Sequence, residues 1–270
     1  MLVNSEAKEL IMDDFGRLRR RMEAGEALFG CIMTMPSTRV ARTLARTGCD
    51  WIVVDTEHNS IGPEAVHDII LATAGTSCSP MVRLPAAHEV YAKPALDSGA
   101  VGIWIPHVDT PEEAQAAVDM ARFPPEGARG LGPAYALDRW QMSRADYIRD
   151  ANRDVIVAVL IESKEAITAL PAILSVAGVD VVSIARGDLA TSLGRIGDEN
   201  HPDVRDQINV VEKLVKESGK ALGEVARSRE EVRDFVRRGY NFICLGTDAG
   251  LLSRATVESL TDAREQAANG

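Results

Sequence analysis

Eight short apolar segments alternate with amphipathic segments along this 270-residue chain, and the alternation restricts the fold more than any other feature. Unbroken apolar runs of this kind are typical of strands buried on both faces, as in a parallel sheet. No linker or shift of composition divides the chain. We therefore predict one α/β domain over residues 1–270, built as a (β/α)8 (TIM) barrel. An open doubly wound sheet is the alternative, but the Gly-x-Gly-x-x-Gly motif expected after its first strand is missing.

The predicted elements follow from periodicity and from capping residues. The eight strands are predicted at residues 30–35, 51–55, 81–85, 102–106, 155–161, 179–185, 221–225 and 241–245. An extra N-terminal helix is predicted within residues 1–25, because apolar residues recur there at helical spacing, namely Leu10, Ile11, Phe15, Leu18 and Met22. Residues 122–154 interrupt the alternation and are predicted as a long Gly- and Pro-rich connection, in which Trp140 is a candidate to line a substrate pocket.

The charge of the chain limits its possible partners. A net charge of −10, spread along the sequence, argues against nucleic acid or an anionic membrane as a partner. No apolar run reaches the length of a membrane span, and the charged N-terminus lacks the apolar segment of a signal peptide. The four cysteines are scattered and predict a reducing, cytoplasmic location. An anionic substrate would need a local arginine or metal ion.

Acid and imidazole groups directly follow the second strand. Residues 51–54 are apolar, and the run then breaks at Asp55, Glu57 and His58. In a barrel this end of the strand carries the catalytic loops. We predict a hydrogen bond between Asp55 and His58 that fixes the imidazole tautomer and raises its basicity. The alternative is a strand end whose polar residues face water or cap the next helix.

Two further carboxylates and an arginine stand at other strand ends. Glu162 follows the fifth strand and Asp188 follows the sixth, so adjacent strands would bring the two together. Paired carboxylates suit a hard ion such as Mg²⁺ or Mn²⁺ and leave coordination positions for water and substrate. Each is alternatively a solvated loop acid. Arg83 ends the third strand, where its partner is either a substrate carboxylate or a structural aspartate.

Six short motifs occur together in a recognisable order. They are Asp55-x-Glu57-His58, Val82-Arg83, Leu96-Asp97-x-Gly99, Arg129-Gly-x-Gly132, Ile161-Glu162 and Asp188-Leu189. With them the chain, from about residue 25 to its end, resembles the class II, metal-dependent pyruvate aldolases. That group includes 4-hydroxy-2-oxoheptane-1,7-dioate aldolase and 2-dehydro-3-deoxyglucarate aldolase and is related to the citrate lyase β-subunits.

The resemblance implies a lyase that cleaves a 4-hydroxy-2-oxo acid to pyruvate and an aldehyde, or runs the condensation, through a metal-stabilised pyruvate enolate. Glu162 and Asp188 would bind the divalent metal ion, which is Mg²⁺, Mn²⁺ or Co²⁺. Arg83 would hold the carboxylate and keto oxygen of pyruvate, in a pocket that Gly187 also lines. The Asp55–His58 pair would handle the proton of the aldol hydroxyl.

The resemblance also implies an assembly. Asp97 would help to hold the loop that closes the site, and in this family it can belong to a neighbouring subunit. The relatives form homohexamers, as trimers of dimers, in which C-terminal helices exchange between subunits. Apolar residues on the predicted helix from about Asp248 to Ala267 are consistent with such a contact.

The metal motif departs from the family pattern. The family usually reads Gly-Pro-x-Asp-Leu-Ser, whereas this chain has Ala185-Arg-Gly-Asp188-Leu-Ala190. Arg186 is therefore expected to add positive charge beside the pyruvate site. This change keeps two alternatives open. One is an oxaloacetate decarboxylase or an enolate-using synthase, similar to macrophomate synthase, on the same site. The other is a barrel that binds a carboxylate ligand without turning it over.

Overall fold

The computed structural model describes residues 14–269. Its eight strands are all parallel and close into a barrel in sequence order, with the last strand beside the first. The predicted (β/α)8 barrel is confirmed. The strands are β1 (Leu28–Met33), β2 (Trp51–Asp55), β3 (Ser79–Arg83), β4 (Gly102–Ile105), β5 (Ile156–Ile161), β6 (Val181–Ile184), β7 (Ala221–Val225) and β8 (Phe242–Thr247).

Twelve helices accompany the strands in the described part of the chain. They are α1 (Arg17–Glu23), α2 (Thr38–Ala45), α3 (Pro63–Ala72), α4 (Glu89–Asp97), α5 (Pro111–Ala121), α6 (Ala134–Trp140), α7 (Arg144–Asp154), α8 (Lys164–Ser175), α9 (Arg186–Ser192), α10 (Pro202–Ser218), α11 (Arg229–Arg237) and α12 (Asp248–Asn269). Within residues 14–269, no helix combines the length and the apolar character that a membrane crossing requires.

Local capping signals in the sequence explain where several helices begin and end. The Thr110 side chain accepts a hydrogen bond from the backbone N–H of Glu113, and the Glu113 carboxylate accepts one in return, which forms a capping box at the start of α5. Ser37 caps α2 through the N–H of Val40. Gly219 ends α10 with a φ of 75°, a left-handed conformation that glycine adopts without steric cost.

Aromatic side chains fill the inside of the barrel. Trp51 stacks on Phe242 with ring centroids 4.6 Å apart and lies 5.6 Å from Trp104. These residues come from β2, β8 and β4, which are not neighbours, so their rings meet only in the barrel interior. Gly30 makes room for this stack, because a Cβ there would lie 2.0 Å from the Trp51 ring.

The described part of the predicted N-terminal helix lies against the amino-terminal end of the barrel as α1. Arg19 donates to both oxygens of Asp180 at 2.9 and 2.7 Å, and to the carbonyl oxygen of Val155 at 2.8 Å. These bonds fasten α1 to the segments that lead into β5 and β6. Leu10 and Ile11, on which the prediction also relied, lie outside the described residues.

The prediction of one long connection over residues 122–154 is wrong, because this segment folds into α6 and α7. The two helices are separated by Gln141, whose φ of 50° ends α6, and α7 starts at Ser143, whose hydroxyl accepts from the N–H of Asp146. The Gly- and Pro-rich composition that suggested a loop is concentrated before residue 134.

The final helix, α12, is attached to the barrel at its first residue. The Asp248 carboxylate is buried and accepts from the backbone N–H groups of Thr34 and Met35 at 2.9 and 3.0 Å. Beyond that point the helix carries large apolar side chains in solvent, with Leu252 62% and Val257 59% exposed. This helix therefore does not cover the barrel of its own chain as the other long helices do.

Candidate active site

The acid and base groups predicted from the sequence gather at the carboxyl-terminal end of the barrel. Asp55 and Arg83 are the last residues of β2 and β3 and are register partners. Glu162 directly follows β5, and Asp188 lies in α9 directly after β6. Because all eight strands are parallel, these side chains share the end of the barrel where (β/α)8 enzymes place their catalytic loops.

Arg83 is paired with two carboxylates of its own chain. Its Nε lies 2.8 Å from Asp55 Oδ1 and its Nη2 lies 2.8 Å from Asp55 Oδ2, a two-pronged contact. Its Nη1 is 3.1 Å from Glu57 Oε2. Burial alone would raise the pKa of Asp55, but the hydrogen bond and charge of Arg83 outweigh it and the pKa is lowered. The sequence left either a substrate carboxylate or a structural aspartate as the partner of Arg83. Within the chain, that partner is the aspartate, Asp55.

The predicted hydrogen bond between the side chains of Asp55 and His58 is not formed. Asp55 instead receives the backbone N–H groups of Glu57 and His58, together with the guanidinium of Arg83. The His58 imidazole is 60% exposed, and its Nε2 lies 3.5 Å from Glu57 Oε2. The physical reason is competition: Arg83 sits in register with Asp55 and binds it bidentately, so the imidazole turns to the next carboxylate.

His107, which the sequence left without a role, joins this site from the end of β4. Its backbone N–H donates to Glu162 Oε1, and its Nδ1 lies 3.0 Å from the same oxygen. Its Nε2 is 3.7 Å from Glu57 Oε1. The sequence signal for this residue was weak, because a single histidine after a strand and a proline fits a surface loop equally well.

Glu57, Glu162 and Asp188 form what we call the acid cluster. Burial raises the pKa of Glu162, and the nearby charges of Glu57 and Asp188 raise it further, although His107 partly offsets this. Burial also raises the pKa of Glu57, against the charge of Arg83. Asp188 itself is exposed, so the cluster opens to solvent on that side. Carboxylates that repel one another are stabilised by a cation, and their oxygens suit a hard divalent ion.

The donor set therefore fits a divalent metal ion held by Glu162 and Asp188. Residues 14–269 contain no set of three or more His, Cys, Asp or Glu side chains arranged around a common metal position. Two carboxylate ligands would leave the other coordination positions to water and substrate, as an open catalytic site requires.

The expectation that Arg186 adds positive charge beside the site is wrong. Its Nη1 and Nη2 lie 3.0 and 3.2 Å from the two oxygens of Glu231, and its Nε pairs with Glu224. Its Nη2 also donates to the carbonyl oxygen of Val225 at 3.1 Å. Successive residues of a strand point to opposite faces, and Gly223 on β7 faces the inside of the barrel. The neighbouring Glu224 therefore points to the outside, and Arg186 binds it there. It fastens the start of α9, the helix that carries Asp188.

The structure does not bring Asp97 and Trp140 to the acid cluster of the same chain. Asp97 ends α4 and pairs with Arg129 at 2.9 Å. The indole N–H of Trp140 donates to the Gly99 carbonyl oxygen at 2.9 Å, and its ring packs edge-on against Phe15. Both residues lie toward the amino-terminal end of the barrel, because α4 runs back from the catalytic end. The predicted role of Trp140 in the substrate pocket is corrected accordingly.

Gly187, predicted to line the substrate pocket, stays beside Asp188 in the first turn of α9. A Cβ at this position would lie 3.5 Å from Glu199 Oε1, which is an ordinary contact. Space within the chain therefore does not require a glycine here.

Comparison with known proteins places the chain among aldolases. It is 31% identical over 246 residues to 5-keto-4-deoxy-D-glucarate aldolase of Salmonella paratyphi C, covering 91% of this chain and 95% of that protein. It is 33% identical over 234 residues to hydroxypyruvate/pyruvate aldolase of Roseobacter denitrificans, covering 87% of this chain and 91% of that one.

A solved structure and a family model agree with these relatives. The crystal structure of an HpcH/HpaI aldolase/citrate lyase family protein from Burkholderia cenocepacia superposes with a TM-score of 0.85 at 33% identity, covering 92% of this chain and 99% of that one. The HpcH/HpaI aldolase/citrate lyase model matches residues 29–255. The resemblance read from six short motifs is confirmed: the chain belongs to the HpcH/HpaI aldolase/citrate lyase family of carbon–carbon lyases.

Proposed function

We propose that this protein catalyses the reversible cleavage of a 4-hydroxy-2-oxo acid to pyruvate and an aldehyde. The proposal rests on one observation: Arg83, whose side chain is only 15% exposed, meets the acid cluster at one end of the barrel. Arg83 supplies a planar cation for the carboxylate of a 2-oxo acid, and the acid cluster supplies a place for a divalent ion. The aldolase activities of the relatives support the same assignment.

In this proposal Glu162 and Asp188 hold Mg²⁺, Mn²⁺ or Co²⁺. Such an ion supplies Lewis-acid polarisation of the keto group, which favours the enolate left when the bond beside the aldol carbon breaks. Arg83 binds the substrate carboxylate and neutralises charge that develops beside it. Asp55 keeps the guanidinium plane fixed before substrate arrives.

His58 takes the proton of the aldol hydroxyl during cleavage and returns it during condensation. Its imidazole is exposed to the mouth of the site, so it is accessible to a bound hydroxyl group. Glu57, and not Asp55, is the carboxylate within reach of its ring. Glu57 is therefore the group that orients the imidazole and stabilises its protonated form.

We also propose a homo-oligomer, with the hexamer of related aldolases as the expected form and the cytoplasm as its location. The bare apolar face of α12 supports exchange of this helix between neighbours. Asp97 and the adjoining Arg129 loop lie away from the acid cluster of their own chain. In an assembly we expect them to close the site of another subunit.

Metal removal tests the proposal. We expect the protein to condense pyruvate with at least one member of an aldehyde panel, to lose this activity in excess chelator, and to regain it with Mg²⁺, Mn²⁺ or Co²⁺. Full turnover in chelator with no tightly held metal would contradict the metal assignment.

Oxaloacetate provides the second half of the test. Decarboxylation of oxaloacetate without condensation of any aldehyde would favour a decarboxylase on the same site. No turnover of either substrate, with metal bound, would indicate a barrel that only binds carboxylates.

A further inference from the structure

His107 has an unusual backbone conformation for a residue with a side chain. Its φ is 54°, and in residues 14–269 it shares a positive φ with one other non-glycine residue, Gln141. Gln141 is explained by its place at the end of α6. His107 is separated from the end of β4 by Pro106 alone and ends no helix. Histidine is among the few residue types that enter this left-handed region at all, and such conformations concentrate at functional sites.

The conformation places both the backbone and the ring of His107 against the acid cluster. The backbone N–H donates to Glu162 Oε1, which by itself holds that carboxylate in place. The ring adds a contact of 3.0 Å from Nδ1 to the same oxygen and lies 3.7 Å from Glu57 through Nε2. Even so, the His107 side chain is 72% exposed. Most of the imidazole therefore stands free at the open mouth of the barrel.

The position of the ring indicates which part of a substrate it faces. Arg83 is only 15% exposed and Glu162 only 5%, whereas Asp188 is exposed, so the arginine proposed to bind the carboxylate of the 2-oxo acid lies deep in the site. The rest of a 4-hydroxy-2-oxo acid, which becomes the aldehyde, must then point toward the mouth. There it meets His107 on the β4 side and His58 on the β2 side.

We propose that His107 is a specificity-determining residue that hydrogen-bonds a hydroxyl group on the aldehyde, on the carbon next to its carbonyl. This inference rests on the proposed aldolase function. Nδ1 of the ring lies against Glu162, whereas Nε2 is 3.7 Å from the nearest Glu57 oxygen, so Nε2 is the atom that can hydrogen-bond a hydroxyl group of the substrate. The carboxylates of Glu57 and Glu162 both lie beside the ring, which disfavours an anionic group at this position. The preferred substrate class is therefore a neutral hydroxyaldehyde.

The test compares two aldehydes of similar size, glycolaldehyde and propanal, each condensed with pyruvate by the metal-loaded enzyme. The wild-type protein should prefer glycolaldehyde. His107→Gly removes the ring but tolerates the left-handed backbone, and it keeps the N–H that Glu162 accepts. We expect this variant to lower the ratio of kcat/KM for glycolaldehyde to kcat/KM for propanal by about tenfold, the loss of one hydrogen bond.

Two further variants sharpen the comparison. His107→Asn also tolerates the backbone conformation and keeps a side chain that donates and accepts, so its ratio should lie between those of the wild-type protein and His107→Gly. His67→Gln changes a histidine on α3, outside the acid cluster, and should keep the wild-type ratio. An unchanged ratio in His107→Gly would overturn the inference.

Exchange of the pyruvate methyl hydrogens in D₂O, followed by NMR, separates this inference from the proposed function. The exchange reports enolate formation and needs no aldehyde. Its absence from the metal-loaded wild-type protein would contradict the aldolase function itself. If His107→Gly reduces exchange and both condensations by one common factor, the residue serves only to position Glu162, and the specificity role is wrong.

Discussion

At the scale of single residues, Arg83 is the most constrained group in the site. It lies, largely buried, between the carboxylates of Asp55 and Glu57. The hydrogen bond of Asp55 and the charges of both carboxylates raise its pKa even though burial acts in the opposite direction. The guanidinium is thus charged, planar and fixed before any substrate arrives. A substrate carboxylate would meet a prepared cation, which limits the reorganisation needed on binding.

Replacement of Arg83 tests this role. We expect Arg83→Ala to lower kcat/KM roughly 10²- to 10³-fold, as the loss of a preorganised charged donor does. Arg83→Lys should still lose about tenfold or more, because an ammonium group cannot keep both prongs to Asp55 and also bind substrate. Steady-state kinetics and pyruvate binding by calorimetry check this result. Arg149→Lys, at an exposed ion pair, is the control. Near-normal activity of Arg83→Lys would show that Arg83 has a structural role and does not bind the substrate carboxylate.

His58→Ala should damage aldol cleavage more than oxaloacetate decarboxylation. Cleavage requires removal of a hydroxyl proton, a step to which a positioned base contributes typically ~10²- to 10⁴-fold, whereas loss of CO₂ needs no base. The two rates, measured on the same preparation, form an internal control. Equal losses in both would show that His58 positions substrate and carries no proton.

The sequence predicted the positions of these residues better than their contacts. Asp55, Arg83 and Glu162 could be placed together because each stands where a buried strand ends. The partner of His58 could not be predicted, since it depends on the register that sets Arg83 beside Asp55. The contacts of His107 could not be predicted either, because a left-handed backbone conformation at a single residue leaves no periodic pattern in the sequence.

At the scale of secondary-structure elements, α9 is a seven-residue helix that must present Asp188 to the acid cluster. So short a helix has little stability of its own. Arg186, at its first position, fastens it to Glu224 on β7 and to Glu231 on α11. In this chain an ion-pair network outside the barrel wall therefore fixes the segment that carries Asp188.

Arg186→Gln should weaken Mn²⁺ binding about ten- to a hundredfold, as the loss of a group that orients a metal ligand does. Titration of Mn²⁺ by electron paramagnetic resonance measures this without relying on turnover. Arg195→Gln is the matched control, because Arg195 is 43% exposed and pairs with Asp203 downstream of α9. Wild-type affinity in Arg186→Gln would mean that α9 holds its place without this network.

The prediction of elements succeeded where the apolar pattern was strong. All eight strands are present, because buried parallel strands consist of unbroken apolar runs. Helices α6 and α7 were missed because most of what defines them is local: a left-handed Gln141 and the Ser143 cap. Residues 144–154 are strongly polar, so helical periodicity there is weak.

At the scale of the whole molecule, the exposed face of α12 is the feature that calls for a partner. Leu252, Val257 and Leu260 are 47–62% exposed on a 22-residue helix. Apolar side chains aligned on one helix are unfavourable in water and mark contact sites. The helix is fastened to its own chain at Asp248, which binds the N–H of Thr34, and at Arg254, which donates to the carbonyl oxygens of Arg227 and Leu245. Its exposed apolar side chains take no part in these bonds.

Deletion of residues 249–270 should abolish both the oligomer and the activity. The deletion removes the apolar contact, and with it any site completed by the Asp97 region of a neighbour. Light scattering during size-exclusion chromatography, run beside the activity assay, checks this. Leu252→Asp tests the same surface with the chain intact, and Glu265→Gln is its control. An active wild-type monomer near 29.1 kDa would contradict the assembly proposal.

The contact between Gly30 and Trp51 has a consequence for how this barrel can evolve. Any side chain at position 30 would collide with the indole, while a smaller residue at position 51 would leave a cavity costing about 3–5 kcal/mol. That is a large fraction of the roughly 5–15 kcal/mol by which proteins are stable. Neither residue can change first without passing through a weakened intermediate, so the two are epistatically locked. Diversification is left to the opposite end of the barrel, where a side chain such as that of His107 can vary without touching the aromatic stack.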